Sequence, residues 1–423
     1  MKISFWILPF IAVVAACSSL TDVDAPDLVK PSDLDTPQGA VARYSGGLSE
    51  FANALQEQVA QTGLLTDEFS DAAGIVFVAD KRTMSADNSP YPFDLLSRAR
   101  LDVLRAAATL RRYAPEPASR IGEMYALAGF VEVMFAEDLC TPIPLASLED
   151  GQPKSGALLS RDGLLQAALA HFDSARSYAG STEAISNLER VGRARALLSL
   201  GDVTSASSAV ADVPQSFAYL VEYSASMPKQ QNKLYQRIAI NRSLSVADRE
   251  GINGLPFASG TDSRIEADTI AVSPLELPVI AFRNSKGLDS PIVLASGVEA
   301  ALIRAEAQLD DGEIEAWVST LNTLRGAAMD AAIPELSSDS TTAASSDLRV
   351  DVLFKERAFW LYGTGHRQGD LRRLIRRYER TADMVFPTGA YPYQGFLYGT
   401  DVTFFPRGEN ANPGYNGCED LGA

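Results

Sequence analysis

Histidine occurs twice in 423 residues and cysteine three times, and Lys+Arg number 37 against 54 Asp+Glu. Each shortage removes a class of chemistry. His171 stands in a helical pattern and His366 in an arginine-rich motif, so neither has the His-Glu-x-x-His spacing that sets two zinc ligands on one helix face. There is no Gly-x-Ser-x-Gly elbow and no Gly-x-x-x-x-Gly-Lys-Ser/Thr phosphate loop. Carboxylates are plentiful, but abundance alone marks no glycosidase pair. The sequence therefore reads as a non-enzyme with no metal and no cofactor. A net charge of −17 favours solubility by self-repulsion and offers no basic face to nucleic-acid phosphates. Beyond residue 16 no stretch is long and apolar enough to cross a hydrocarbon core of roughly 30 Å.

What is present begins at the N-terminus. Lys2 precedes an apolar run from Ile3 to Ala16, broken by Ser4, and small residues stand before Cys17. That is the layout of a secretory signal peptide. The run Val14-Ala15-Ala16-Cys17 resembles the lipobox of bacterial lipoproteins. The resemblance implies a cut before Cys17 and acylation of its thiol, each buried methylene holding the chain to a bilayer by about 0.8 kcal/mol. The expected organisation is a signal peptide over 1–16, a lipidated cysteine and polar, acidic tether over 17–34, and a single helical domain over 35–423. An exported chain meets an oxidising compartment, so the remaining even pair, Cys140 and Cys418, is expected to form a disulfide.

Most of the body has helical periodicity. Asp35-Thr36-Pro37 looks like a helix start. Leu165, Ala168, Phe172 and Ala175 are spaced three, four, three, and Ile314, Trp317, Leu321 and Leu324 repeat that spacing, each set forming one apolar stripe. Arg193–Asp202 and Leu302–Glu313 both read as helix, Gly-containing turn, helix, which is the tetratricopeptide unit. Helix pairs are expected at about 93–214 and 298–383. Residues 75–92, 215–297 and 384–423 read as loop-rich, the second with a few strands, and long irregular segments on a helical scaffold often bind ligands.

The sharpest motif runs from Lys355 to Arg373. Its Glu356, Arg357, Leu361, Gly365, Arg367, Asp370, Leu371 and Arg373 match a signature that runs roughly ER-x-x-E-L-x-x-E-G-x-R-x-x-D-L-x-R. In this the chain resembles the SusD/RagB family of outer-membrane nutrient-binding lipoproteins. Trp360 and Thr364 stand where that signature has glutamates, which marks a divergent member. Phe135–Cys140 followed by Pro142-Ile143-Pro144-Leu145, the helix Leu302–Leu309, and Phe405-Pro406 with Glu409, Asn412 and Pro413 match further family segments in order.

The resemblance implies a mostly α, SusD-like fold built on tetratricopeptide-type helix pairs, with long loops and a few short strands. It implies a place at the cell surface on the outer membrane, where Asp22 and Asp24 resemble export tags. The partner would be a SusC-like TonB-dependent transporter and the ligand an oligosaccharide or a peptide. A tetratricopeptide-type scaffold lipoprotein for envelope assembly is the alternative. At helical spacing Arg367 and Asp370, and Asp370 and Arg373, can pair, and Glu356 and Arg357 can reach a neighbouring helix. These five are expected to lock two helices together. Ligand contacts are expected from the early loop (Asp80, Arg82, Asn88, Tyr91) and from the tail (Tyr391, Tyr393), unless these rings pack loops onto the body. Trp317 and Trp360 read as core.

Overall fold

The computed structural model describes residues 31–74, 77–149, 152–260, 262–328, 333–337, 341, 344–392, 395–407 and 414–422. Cys17, Tyr393, Glu409, Asn412 and Pro413 lie outside them, and the signal-peptide and lipidation expectations with them.

Thr36 and Pro37 open a long helix, as their sequence predicts. Thr36 Oγ1 accepts the Gly39 N–H at 3.0 Å and Pro37 occupies the first turn, where its missing N–H costs nothing. This helix, α1 (Pro37–Leu65), packs on α2 (Phe93–Tyr113), which packs on α3 (Ser119–Asp138); α3 packs on α4 (Arg161–Ala179) and α5 (Glu183–Leu200). Helix pairing thus starts well before residue 93. The stripe of α1 is masked in the sequence because its buried face includes Gln56, Gln58, Gln61 and Thr62. Burial of such groups needs partners, and Gln58 Nε2 donates to buried Asp138 at 2.8 Å.

Where α3, α4 and α5 meet, the Phe172 ring lies against Gly129 and Gly192, and a Cβ on either glycine would run into it. α5 stops at Gly201, whose φ of +87° suits only a residue without a side chain, and Asp202 Oδ1 caps α6 (Val203–Ala209) by accepting the Ser205 N–H at 3.1 Å. α7 (Gly297–Asp310) turns at Gly312 into α8 (Ile314–Gly326), so both expected helix–Gly turn–helix units are present. α6 packs on α7 and joins the two helical halves; α9 (Ser346–Trp360) packs on α7, and α10 (Arg367–Arg376) on α1 and α3.

Among the described residues the strands form five antiparallel pairs: β1 (Phe69–Asp71) with β7 (Leu244–Val246), β2 (Ile143–Pro144) with β5 (Leu158–Leu159), β3 (Ser147–Glu149) with β4 (Gln152–Lys154), β6 (Ala218–Val221) with β10 (Ile292–Ser296), and β8 (Asp268–Val272) with β9 (Pro278–Ala281). The architecture is mostly helical, with short strands concentrated in 215–297. Cys140 and Cys418 are joined as a disulfide with their Cα atoms 5.6 Å apart, across 278 residues of sequence.

The arginine motif is buried and ionic, but its pairing differs in part from the expected one. Asp370 accepts from Arg357 Nε and Nη2 at 2.8 and 2.9 Å and from Arg373 Nη2 at 2.9 Å. Its oxygens are therefore engaged from two sides, which holds its carboxyl down at about 2: burial alone would raise it, and the two guanidiniums outweigh burial. Arg367, expected on Asp370, instead grips Asp67 just past the end of α1, at 2.7 and 3.0 Å. Glu356 turns away from α10 and accepts from Arg264 at 2.8 Å and Arg325 at 2.5 Å. The five residues thus tie α9 and α10 to α1 and to a distant loop, not only to each other.

Candidate functional site

The expected ligand residues are largely internal. Asp80 ends a one-turn helix, Phe77–Asp80, and is 3% exposed; it accepts the Tyr391 hydroxyl at 2.6 Å and the Asp71 N–H at 3.1 Å. Arg82 is fully buried. Its Nε donates to the Asp401 carbonyl at 2.9 Å, its Nη1 to the Pro387 carbonyl at 2.5 Å, and its guanidinium lies 5.1 Å over the Phe386 ring. Tyr91 donates to Asp138 at 2.7 Å and packs on Phe404. Asn88 is exposed, and its Oδ1 accepts the Ser85 N–H at 2.6 Å, shaping its own turn. Tyr393 lies outside the described residues. The early loop and the tail do come together, through each other's polar ends: Asp80 with the Tyr391 hydroxyl and Arg82 with the Asp401 carbonyl.

Burial governs the charges along that seam. It pushes Asp80 well above the usual carboxylate range, with Glu250 nearby raising it further. Burial likewise lifts Glu250 to about 7, Asp138 to about 7 and Glu68 to about 8, and lowers Arg82 to about 10. Tyr398 donates its hydroxyl to Glu250. Two tail tyrosines thus cap two buried carboxyl groups.

An open cavity lies elsewhere. A space of about 600 Å³ falls within the range of roughly 300–1,000 Å³ typical of ligand pockets. Its walls come from the turn before β6 (Gln215, Ser216), the loops before β8 and after β9 (Ser263, Arg264, Arg283, Asn284), the start of α7 (Val298), the end of α8 (Leu324, Ala327, Ala328) and the end of α9 (Phe359, Trp360). Phe359 is buried and Trp360 half-buried. Arg264 spans both rings at 5.0 and 5.2 Å and is fixed from behind by Asp262 and Glu356. Gln215, Ser216 and Asn284 are exposed. An aromatic wall with a fringe of amide and hydroxyl groups is suited to a ligand that has apolar faces and polar edges.

A smaller recess of about 270 Å³ shares Gln215, Ser216, Arg264, Phe359 and Trp360 with that cavity and is also lined by Phe282, Tyr362, Thr364, His366 and Glu299. A separate groove of about 420 Å³ lies between α1 and β6, and the Glu123 carboxylate on its wall is bonded by Tyr44 at 2.5 Å and Tyr219 at 2.6 Å.

Trp317 is core, as expected, but Trp360 is a cavity wall. The signal for this lay in the motif itself: a large ring at the last turn of a helix, where the signature carries a charged residue, does not need to be core. Gln215, Ser216, Arg264 and Asn284 gave no signal, because three irregular segments bring them together without periodicity or motif.

No family model matches the sequence, and no curated protein matches it. Solved structures do. A SusD superfamily protein from Bacteroides fragilis superposes with a TM-score of 0.64 at 15% identity, covering 88% of this chain and 96% of its own. The B. fragilis protein NanU gives 0.64 at 12% identity, over 95% and 100%. A SusD-like carbohydrate binding protein from Bacteroides vulgatus gives 0.59 at 14%, over 85% and 86%. At these identities the likeness is one of fold: the chain has the SusD-like helical fold over nearly its whole length. No helix among the described residues is long and apolar enough to cross a membrane.

Proposed function

We propose that this chain, with its SusD-like fold, is a lipid-anchored protein of the outer-membrane surface that binds a nutrient, an oligosaccharide before a peptide, and passes it to a SusC-like TonB-dependent transporter without chemical change. The lipobox-like run ending at Cys17 supports the anchor. The fold neighbour described as carbohydrate binding supports the ligand class. The observation that carries the binding role is the cavity beside Trp360: the C–H faces of a pyranose pack on an indole ring, while its hydroxyls meet Gln215, Ser216 and Asn284.

Thermal unfolding in the presence of neutral oligosaccharides and, separately, short peptides tests this. A ligand at a hundredfold excess over its dissociation constant stabilises the native state by about 2.7 kcal/mol, a visible rise in Tm. Trp360→Ala is expected to remove that rise while leaving the unliganded Tm within a few degrees. A Tm rise that survives in Trp360→Ala moves the site elsewhere. Purification from outer membranes tests the transporter arm: the protein should bring a large β-barrel with it. Binding to assembly proteins with no response to any soluble nutrient would favour the scaffold alternative.

A further inference from the structure

β6 has a partner on one side only. Among the described residues it pairs with β10, and no backbone hydrogen bond runs from 218–222 to any other segment. Its other edge meets the groove beside α1, which Tyr219, Leu220, Val221 and Glu222 all line. Successive strand residues point to opposite faces, so a groove that touches four in a row runs along the strand's edge. An edge with unpaired N–H and C=O groups is a template for a further strand. Leu48, Phe51 and Leu127 make the rest of the lining apolar. Two contacts fix the direction. Tyr44 and Tyr219 both donate to Glu123, and the Tyr223 hydroxyl donates to the Ala52 carbonyl at 2.9 Å. β6 therefore runs alongside α1 in the same direction, starting beside Tyr44 and ending toward Ala52.

A second observation lies at the Tyr44 end. Arg43 lines a hollow of about 410 Å³ that shares Ser45, Ser49 and Gln230 with the groove. It is half-buried and has no carboxylate partner among the described residues. Its Nε is enclosed without a hydrogen bond, which leaves the Nη groups as the donors open to the hollow. The acids nearby do not serve it: Asp102 accepts from Arg105 at 2.6 Å, and Glu50 makes no ion pair with Arg43. Between groove and hollow α1 carries only Ser45, Gly46 and Ser49, and the space beside Gly46 is open. A chain that leaves the edge of β6 can pass over the helix there.

We propose that the groove takes the extended C-terminal segment of a partner protein, added antiparallel to β6, with its terminal carboxylate on Arg43. An antiparallel strand enters beside Ala52 and ends toward Tyr44, the end at which Arg43 stands. A guanidinium fork holds a carboxylate by two parallel hydrogen bonds, and the main chain supplies a carboxylate only at its last residue. From Ala52 back to Arg43 α1 spans about 14 Å, the reach of about four residues of extended chain. Glu222 is exposed at the entry, so the body of the partner stays outside. Groove and cavity share no lining residue, so neither reading depends on the other.

Fluorescence anisotropy with the probe Thr-Val-Thr-Val-Val, labelled at its N-terminus, tests this, because main-chain pairing should hold a generic strand-forming sequence. The same five residues at the C-terminus of a soluble carrier protein should bind as the free probe does. Amidation of the last carboxyl should weaken binding about tenfold or more, the scale of a lost charge-assisted pair. Arg43→Ala should weaken the free acid by the same factor, leave the amide unchanged and keep the wild-type Tm, since Arg43 makes no bond that the fold would lose. N-methylation of alternate residues should abolish binding in one phase and spare it in the other, as antiparallel pairing requires. Equal affinity of acid and amide, or full affinity in Arg43→Ala, overturns the carboxylate anchor. Indifference to N-methylation in both phases overturns strand addition. Binding of the free probe but not of the carrier overturns the protein partner, and binding of neither overturns the proposal whole.

Discussion

Asp80 and Glu250 show what a single buried acid does to this protein. Each is enclosed, each is capped by a tail tyrosine, and burial raises both. A carboxyl group raised in the folded state holds its proton more tightly there than in the unfolded chain. Its contribution to stability is complete below the unfolded value and is lost as pH rises through the folded one. For Glu250 that window runs from the ordinary 4.5 to about 7; Asp138 and Glu68 add loss up to about 7 and 8. Asp370 acts in the opposite sense. Held at about 2, it contributes stability that is present above the ordinary 3.8 and lost as pH falls through about 2. These groups together place maximal stability near about pH 4–5, with a decline toward about pH 8. Urea unfolding at about pH 5 and about pH 8 checks this. Glu250→Gln removes one titrating group, so its stability should fall less between the two pH values than that of wild-type protein. Equal falls would mean that Glu250 ionises in the folded state as it does in the unfolded chain.

The helices depend on close approach as much as on apolar stripes. Phe172 meets α3 and α5 at Gly129 and Gly192, and a methyl group at either position would collide with its ring. Overfilling a packed core costs about 1–3 kcal/mol. Gly192→Ala should therefore destabilise by that amount despite its gain in helix propensity, and Phe172→Leu added to it should restore part of the loss. A Gly192→Ala protein as stable as wild type would show that the ring can move aside. Elements were legible to the extent that their signals are local. The stripe of Leu165, Ala168, Phe172 and Ala175, the turn at Gly201 and the start at Thr36-Pro37 each declare themselves within a few residues. The partner of Arg367 is Asp67, 300 residues away, and no spacing rule reaches that far. The same limit governs the candidate site. Chemistry-bearing loop residues could be picked out, but not that Asp80 and Tyr391 would satisfy each other, nor that Arg264 would fold over Trp360. The buried stripe of α1, beyond its legible start, is hidden for a different reason: its buried glutamines imitate a solvent face, and only their partners reveal them as interior.

At the scale of the whole molecule the tail is what closes the fold. After Cys418 the chain returns to the C-terminal end of α3, where the Glu419 and Asp420 N–H groups both donate to the Thr141 carbonyl at 2.9 Å and Arg376 pairs with Asp420 at 2.9 Å. Below them Arg372 is buried. Its guanidinium donates to the Glu137 carbonyl at 2.5 Å and the Gly422 carbonyl at 3.1 Å, and burial, with Arg376 and Arg161 close by, lowers it to about 9. A guanidinium enclosed mainly by carbonyl groups at a helix C-terminus is a reasonable neighbour for that end of the helix dipole, but it depends on the tail to keep water out. Cys140–Cys418 holds the tail there by spanning 278 residues of sequence. By loop-closure entropy a link of that length stabilises by about 5.6 kcal/mol if the unfolded chain is otherwise unconstrained. Much of that constraint falls on a short terminal segment, so the first consequence of breaking it is local release. In Cys418→Ser the residues after 414 should become open to protease at temperatures at which the helical body remains folded, and the main unfolding transition should move down by less than the full closure energy. Amide exchange resolves the two effects: Thr141 and Asp420 should lose protection while α3 and α4 keep theirs. Protection lost equally across α3, α4 and the tail would instead make the disulfide part of the cooperative core.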